Sequence, residues 1–233
     1  MLPMLLMPLF LTHGAPIDDM QTYKTEVKKV VSGRYLVALP EGYETQPRKR
    51  WPLVLFLHGS GERGSDIEKV KIHGPLKEIA AGRKIEAVVI VPQCDDGSFW
   101  DADSLLGLIN VAERKYRIDK DRETVTGLSM GGFGTWDLLA AAPNRFAAAA
   151  PICGGGNPAK VATYAHVPLW ITHGDQDGAV NIGQSIVMVD ALKAAGASPR
   201  FDKIVGGGHD VWTNVYNRDD FWAWLLSQKR TKR

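Results

Sequence analysis

Two cysteines in 233 residues exclude several chemistries at once. Cys94 and Cys153 make no disulfide framework, and they lack both the spacing and the neighbouring histidine cluster of a zinc site. The histidines (His13, His58, His73, His166, His173, His209) are scattered, with no H-x-x-x-H pair. No metal and no other cofactor is expected. There is also no excess of one charge: the formal net charge is +2, and the basic clusters Arg48-Lys49-Arg50 and Lys229-Arg230-Thr231-Lys232-Arg233 are short. Nucleic acid and anionic membrane are therefore not expected partners. No apolar run is long enough to cross a bilayer as a helix, and no internal repeat stands out. No motif sets an oligomeric state. What remains is 45% hydrophobic and 23% charged, the balance of a globular chain the size of one large α/β domain.

Residues 1–15 stand apart. Met1 to Leu11 is apolar and uncharged, and Thr12-His13-Gly14-Ala15-Pro16 follows. This resembles the core of a signal peptide without its basic start, although the cut after Ala15 would leave Pro16 first. Export, to the periplasm or outside the cell, is the favoured expectation. The alternatives are an apolar segment packed on the domain, or a start codon assigned too late. Residues 16–233 are read as one domain.

Along that domain, short apolar runs alternate with amphipathic stretches. Tyr35 to Leu39 reads as a strand ended by Pro40, and Trp51 to Leu57 is continuously apolar, the sign of a strand buried on both faces. A helix is expected over residues 66–81, a strand over 87–91 stopped by Pro92, and a helix over 101–116. Strands follow at 123–126, 146–152, 167–172 and 200–205, with helices between them and a closing helix around 221–226. The pattern predicts an α/β fold with a mostly parallel sheet and helices on both faces, whose sites lie at the carboxyl ends of the strands.

The chemistry falls at those ends. Gly127-Leu128-Ser129-Met130-Gly131 lies between a β-branched strand and an Ala/Leu-rich helix, the setting of a G-x-S-x-G nucleophile elbow. Bare, the motif fits a glycine-rich helix entry packed against its sheet better than a catalytic serine; the residues further along the chain reverse that. Asp177, in the loop after residues 167–172, and His209, after Gly206-Gly207-Gly208, complete the order Ser, Asp, His. His209 would take the proton of Ser129 and return it to the leaving group, and Asp177 would hold the imidazole. Asp175 is the local rival for the acid, with bracing the turn its expected task. Two backbone donors are expected for an oxyanion, the N–H groups of Met130 and Ser60, with His58 pinning the loop between them.

The motifs Leu57-His58-Gly59-Ser60-Gly61-Glu62-Arg63-Gly64, Pro92-Gln93-Cys94, Gly127 to Trp136 and Pro151-Ile152-Cys153-Gly154-Gly155-Gly156 resemble those of the bacterial α/β-hydrolase esterases. The similar branches are the prolyl-oligopeptidase-like predicted peptidases, the phospholipase/carboxylesterases, and the feruloyl and acetyl-xylan esterases of carbohydrate esterase family one. The resemblance covers residues 34–226 and implies a serine hydrolase of the α/β-hydrolase fold. Gly178-Ala179-Val180 departs from the Pro-Val-Val-Pro often found after the acid, which would loosen that loop. In the usual strand order the strands preceding Cys94 and Cys153 lie three steps apart, roughly 14 Å, too far for a disulfide. Two free, half-buried, inert thiols are expected.

The gap from Gly154 to His166 is too short for a lid domain, so the site should be open and favour bulky or polymer-linked esters. Trp100 and Trp212 are candidate platforms for a sugar or aromatic acyl group, and Gln93 is a candidate to bond substrate or to brace the oxyanion loop. Trp136 is read as core. The expected function is a carboxylesterase, plausible substrates being feruloyl or acetyl esters of plant polysaccharide. A serine peptidase is the alternative within enzymes, and a non-catalytic binding protein on a hydrolase scaffold is the alternative outside them.

Overall fold

The computed structural model describes residue 25 and residues 28–230; the signal-like segment of residues 1–15 lies outside them. Residues 31–233 make one compact unit, divided from the preceding residues after Val30. Seven strands form a single sheet: β1 (Arg34–Ala38), β2 (Trp51–Leu57), β3 (Val88–Gln93), β4 (Ile118–Leu128), β5 (Ala148–Ile152), β6 (Trp170–Gly174) and β7 (Arg200–Ile204). Their spatial order is β1-β3-β2-β4-β5-β6-β7, with only β1 antiparallel. The helices are α1 (Gly74–Ala80), α2 (Ala102–Lys115), α3 (Met130–Ala141), α4 (Val161–Tyr164), α5 (Gly183–Ala194), α6 (Trp212–Tyr216) and α7 (Asp219–Ser227). This is the α/β-hydrolase fold.

The two faces of the sheet follow from the period of two along a strand. Trp51, Leu53, Leu55 and Leu57 of β2 enter one core with Leu105 and Ile109 of α2 and Trp136 of α3. Val54 and Phe56 enter the other, with Val215 and Tyr216 of α6 and Phe221 of α7. All seven residues of β2 are buried. Each large apolar side chain so placed contributes about 1.5–3 kcal/mol of burial, which fixes the central strands and hence the loops at their ends.

Three boundaries differ from expectation. The helix expected over residues 66–81 is split into a 3-10 turn, Ile67–Lys71, and α1. Gly74, at φ +70, breaks it, and a Cβ there would meet the Phe56 ring at 2.4 Å. Pro92 does not stop β3: pairing with β2 extends only to Ile90, and Pro92 lies beyond it opposite Tyr35 on the edge strand. β4 begins at Ile118, earlier than read, because its charged segment lies across an irregularity between Trp51 and Leu53. Between β5 and β6 there are only a 3-10 turn, Pro158–Lys160, and the single turn α4, so no lid domain is inserted there.

The junction that sets the site is tighter than the rest of the sheet. A Cβ on Gly131 would lie 1.9 Å from Leu57 O, and one on Gly127 would lie 2.3 Å from Gly131 O. Gly131→Ala should cost at least ~2 kcal/mol through overpacking against backbone, read as a lower denaturant midpoint. Gly178→Ala, where an added Cβ meets nothing within 4 Å, serves as control and should leave the midpoint unchanged. Equal midpoints for the two variants would show that the junction has slack.

Candidate active site

Ser129 ends β4 and starts α3 with φ 52 and ψ −118. A side chain is rarely found at positive φ, and the strain is held by neighbours on both sides. The Ser129 N–H donates to Ile152 O on β5 at 2.9 Å, and the Ser129 carbonyl accepts from Phe133 N at 3.1 Å. The hydroxyl is therefore presented at the sheet edge rather than along the strand.

His209 comes from the loop after β7. Its Nε2 lies 2.9 Å from Ser129 Oγ, and its Nδ1 lies 2.7 Å from Asp177 Oδ2. A carboxylate only accepts, so Nδ1 carries the hydrogen and Nε2 offers its lone pair to the serine hydroxyl. The Asp177 side chain is fully buried, while that of His209 is 26% exposed. Burial acts to raise the Asp177 pKa. The His209 bond and the N–H groups of Val180 and Ala179, bound to Oδ1 at 2.8 and 2.9 Å, outweigh it and hold the carboxyl below its usual range. Those two N–H bonds also hold the acid loop in spite of its Gly178-Ala179-Val180 sequence.

Asp175 is turned away from His209. Its Oδ1 accepts from Gly206 N at 2.8 Å, so it braces the histidine loop rather than its own turn. The two loops are joined along their backbones as well: Asp175 N donates to Ile204 O and Gln176 N to Gly207 O. A Cβ on Gly174 would stand 2.2 Å from Gly207 O, so the loops touch where no side chain fits.

The loop after β2 is built around His58. Its ring, fully buried, donates from Nδ1 to Gly59 O at 2.6 Å and accepts the Cys94 N–H at Nε2 at 3.0 Å. Gly59 packs on Ser129; a Cβ there would be 3.7 Å from Ser129 Cβ. Glu62, also buried, binds the Gly59 N–H at 2.8 Å, which takes that donor out of play and leaves the next one, Ser60 N–H, at the start of the 3-10 turn Ser60–Glu62. Arg63 completes the frame, donating to Ser60 O and Ser98 O.

The three residues expected to meet substrate have other partners. Gln93 is buried and donates through Nε2 to Glu62 O and Asp66 O at 2.9 and 2.6 Å, so of its two expected roles the structure gives it the bracing one. Trp100 donates to His58 O at 3.1 Å, stacks edge-on against that ring, and leaves no room for a Cβ on Gly134. Trp212 is only 8% exposed and packs edge-on against His209 and His73, so it supports the histidine rather than offering a flat face. A cavity of about 370 Å³ lined by Tyr35, Phe99, Trp100, Leu105 and Leu108 has none of Ser129, Asp177 and His209 in its wall. Trp136 is core, as read.

Both thiols are free, and both are buried rather than half-buried. Burial pushes Cys153 up to about 12, so it is no rival nucleophile. Ligand atoms of Cys153, His173 and Asp177 lie within 4.8 Å of one another, but the histidine and the carboxylate are already hydrogen-bonded. Glu62 stands inside the motif Leu57–Gly64 and His173 directly follows the expected strand at 167–172, but sequence reasoning gave neither a role.

No family model matches the chain. It is 28% identical over 140 residues to a bifunctional acetylxylan esterase/xylanase of Neocallimastix patriciarum, covering 57% of this chain and 20% of that protein. A thermostable esterase structure is 31% identical with a TM-score of 0.71, covering 84% of this chain and 59% of that one. The chain thus spans a fifth and about three-fifths of the lengths of these two proteins. A feruloyl esterase module from Clostridium thermocellum shares the fold, at 16% identity, a TM-score of 0.63, and coverage of 92% and 99%.

Burial, reinforced by the charge of Arg63 and opposed by the Gly59 bond, lowers the His58 pKa to about 4. In the unfolded chain a histidine takes its proton near 6.5. Between those values the unfolded state binds more protons, so stability falls as pH drops from about 6.5 to about 4, by up to ~3 kcal/mol. An NMR titration of the folded protein should find the His58 ring neutral at pH 5; a midpoint near 6.5 would contradict the buried neutral ring.

Proposed function

We propose that this chain is a serine carboxylesterase working through an acyl-enzyme, with Ser129 as nucleophile, His209 as general base and acid, and Asp177 as the acid that orients it. The observation that carries the reading is the unbroken line from Ser129 Oγ to His209 to Asp177, at 2.9 and 2.7 Å. As Ser129 Oγ attacks the ester carbon, its proton passes to His209 Nε2, and the imidazolium is stabilised by the buried Asp177 carboxylate. The carbonyl oxygen becomes an oxyanion facing Met130 N–H, at the first turn of α3, and Ser60 N–H. Collapse expels the alcohol, which takes the proton from His209 and leaves the acyl group on Ser129. Water, deprotonated by the same imidazole, then attacks the acyl-enzyme and releases the acid.

For substrate we favour acetyl or feruloyl esters carried on plant polysaccharide. Two things support this class: the sequence similarity to an acetylxylan esterase, and the absence of a lid domain between β5 and β6. An edge left uncovered there accepts an ester group projecting from a polymer.

A panel of p-nitrophenyl acetate, butyrate and octanoate, methyl ferulate, acetylated xylan and one peptide anilide tests both levels. Wild type should hydrolyse the esters and label with a fluorophosphonate. Ser129→Ala should lose at least about 10⁴-fold in kcat and all labelling while staying folded. Folded wild type that neither labels nor turns over ester would overturn the enzyme reading. Turnover confined to short p-nitrophenyl esters would overturn the polysaccharide class alone.

A further inference from the structure

Behind Asp177 stands a second imidazole. His173, the penultimate residue of β6, is fully buried, and its Nε2 lies 2.9 Å from Val180 O and 3.2 Å from Asp177 Oδ2. The Asp177 oxygen it approaches is the same one that His209 Nδ1 binds at 2.7 Å. On the other side of the ring, Nδ1 is 2.7 Å from Ser185 Oγ on α5, and Ser185 reaches Gly154 O, after β5, at 2.8 Å. A continuous polar line thus runs from Ser129 through His209, Asp177, His173 and Ser185 to Gly154.

The chemistry of the neighbours places a hydrogen on Nε2. Val180 O is a carbonyl and Asp177, held ionised, is a carboxylate; neither has a proton to give. A bare lone pair at Nε2, sealed from water against two acceptors, would be repelled by both. We propose that His173 is a positioning residue for the Ser129–His209–Asp177 reaction: its Nε2–H, bonded to Val180 O, also faces Asp177 Oδ2 at 3.2 Å and so fixes the orientation and basicity of the oxygen that serves His209. Ser185, anchored on Gly154, fixes the ring from behind. The inference rests on the catalytic reading of Ser129, Asp177 and His209.

A shared oxygen has a signed consequence. A second donor draws charge from Oδ2, which weakens its stabilisation of the His209 imidazolium. Removing that donor should strengthen that stabilisation and move the acid limb of kcat/KM to higher pH. It should also free the carboxylate to move, lowering kcat with little change in KM. The other titratable groups facing this line are few. Cys153, after β5, stays a neutral thiol across the profile because burial holds its pKa at about 12. Asp210, next to His209, is tied to Thr213 Oγ1 at 2.8 Å. Asp175 is tied to Gly206 N.

The test compares His173→Leu, which removes the donor, with His173→Gln, whose side-chain amide can place an N–H where Nε2 stood. The Leu variant should drop kcat about tenfold or more and shift the acid limb upward by about half a pH unit; the Gln variant should recover most of both. A folded Leu variant with wild-type kcat and limb would overturn the proposal. So would equal loss in both variants without a shift of the limb, which marks a packing role alone. A readout independent of turnover is the ¹⁵N–¹H spectrum of the wild-type imidazoles. A hydrogen on His173 Nε2 is expected, and a bare Nε2 there would overturn the proposal even if esterase activity were never detected. With that hydrogen in place, absent activity and absent labelling would count against the catalytic reading instead.

Discussion

The contact between the end of β2 and the start of α3 governs the rest of the site. Gly131 lies so close to the Leu57 carbonyl that any side chain at residue 131 would occupy the same space as that oxygen. This approach ties two strands' loops into one register: the turn that carries Ser129 at positive φ, and the turn that carries Gly59 and Ser60. His58, Glu62, Gln93 and Trp100 then act on the second loop from below, each spending a polar atom on its backbone. Ser129 and the loop of Gly59 and Ser60 are in effect one rigid piece made from segments about seventy residues apart.

Asp177 and His209 form a second piece. The backbone bonds from Asp175 and Gln176 to Ile204 and Gly207, with the close approach of Gly174 to Gly207, join the loop after β6 to the loop after β7. Asp177 sits in that joint fully buried, with both carboxylate oxygens in use. Its ionisation survives burial because every contact offers it a hydrogen. The two pieces meet at the 2.9 Å contact between Ser129 and His209.

The parts legible in the sequence were those where a change of pattern marks a strand end. Ser129, Asp177 and His209 each follow an expected strand and sit among glycines or acids, and the sheet order brings those ends to one edge. The glycines flanking Ser129 could be read as a steric need, although which atom they clear, Leu57 O, could not. Partners that lie sideways in the sheet left no pattern. Gln93 and Trp100 looked like exposed polar and aromatic equipment because they follow a strand; only the position of the loop after β2 shows that their donors are consumed within the protein. Glu62 and His173 were hidden for the same reason. A buried charge or ring is recognised by what surrounds it, and its surroundings come from distant segments. The broken helix before α1 turned on Gly74, whose left-handed backbone serves a contact with Phe56 that periodicity does not register.

The order of these segments along the chain bears on how the protein is made. Ser129 and His209 are 80 residues apart, and the strands that carry Asp177 and His209 to the edge are the last two of the sheet. While the chain leaves the ribosome, β2, β3 and β4 can pair and the elbow can form, yet the hydroxyl has no base beside it. In the proposed mechanism Ser129 gains its base only when the loop after β7 brings His209 beside it. On the proposed reading, a chain that ends before β7 carries the intact G-x-S-x-G motif without its base.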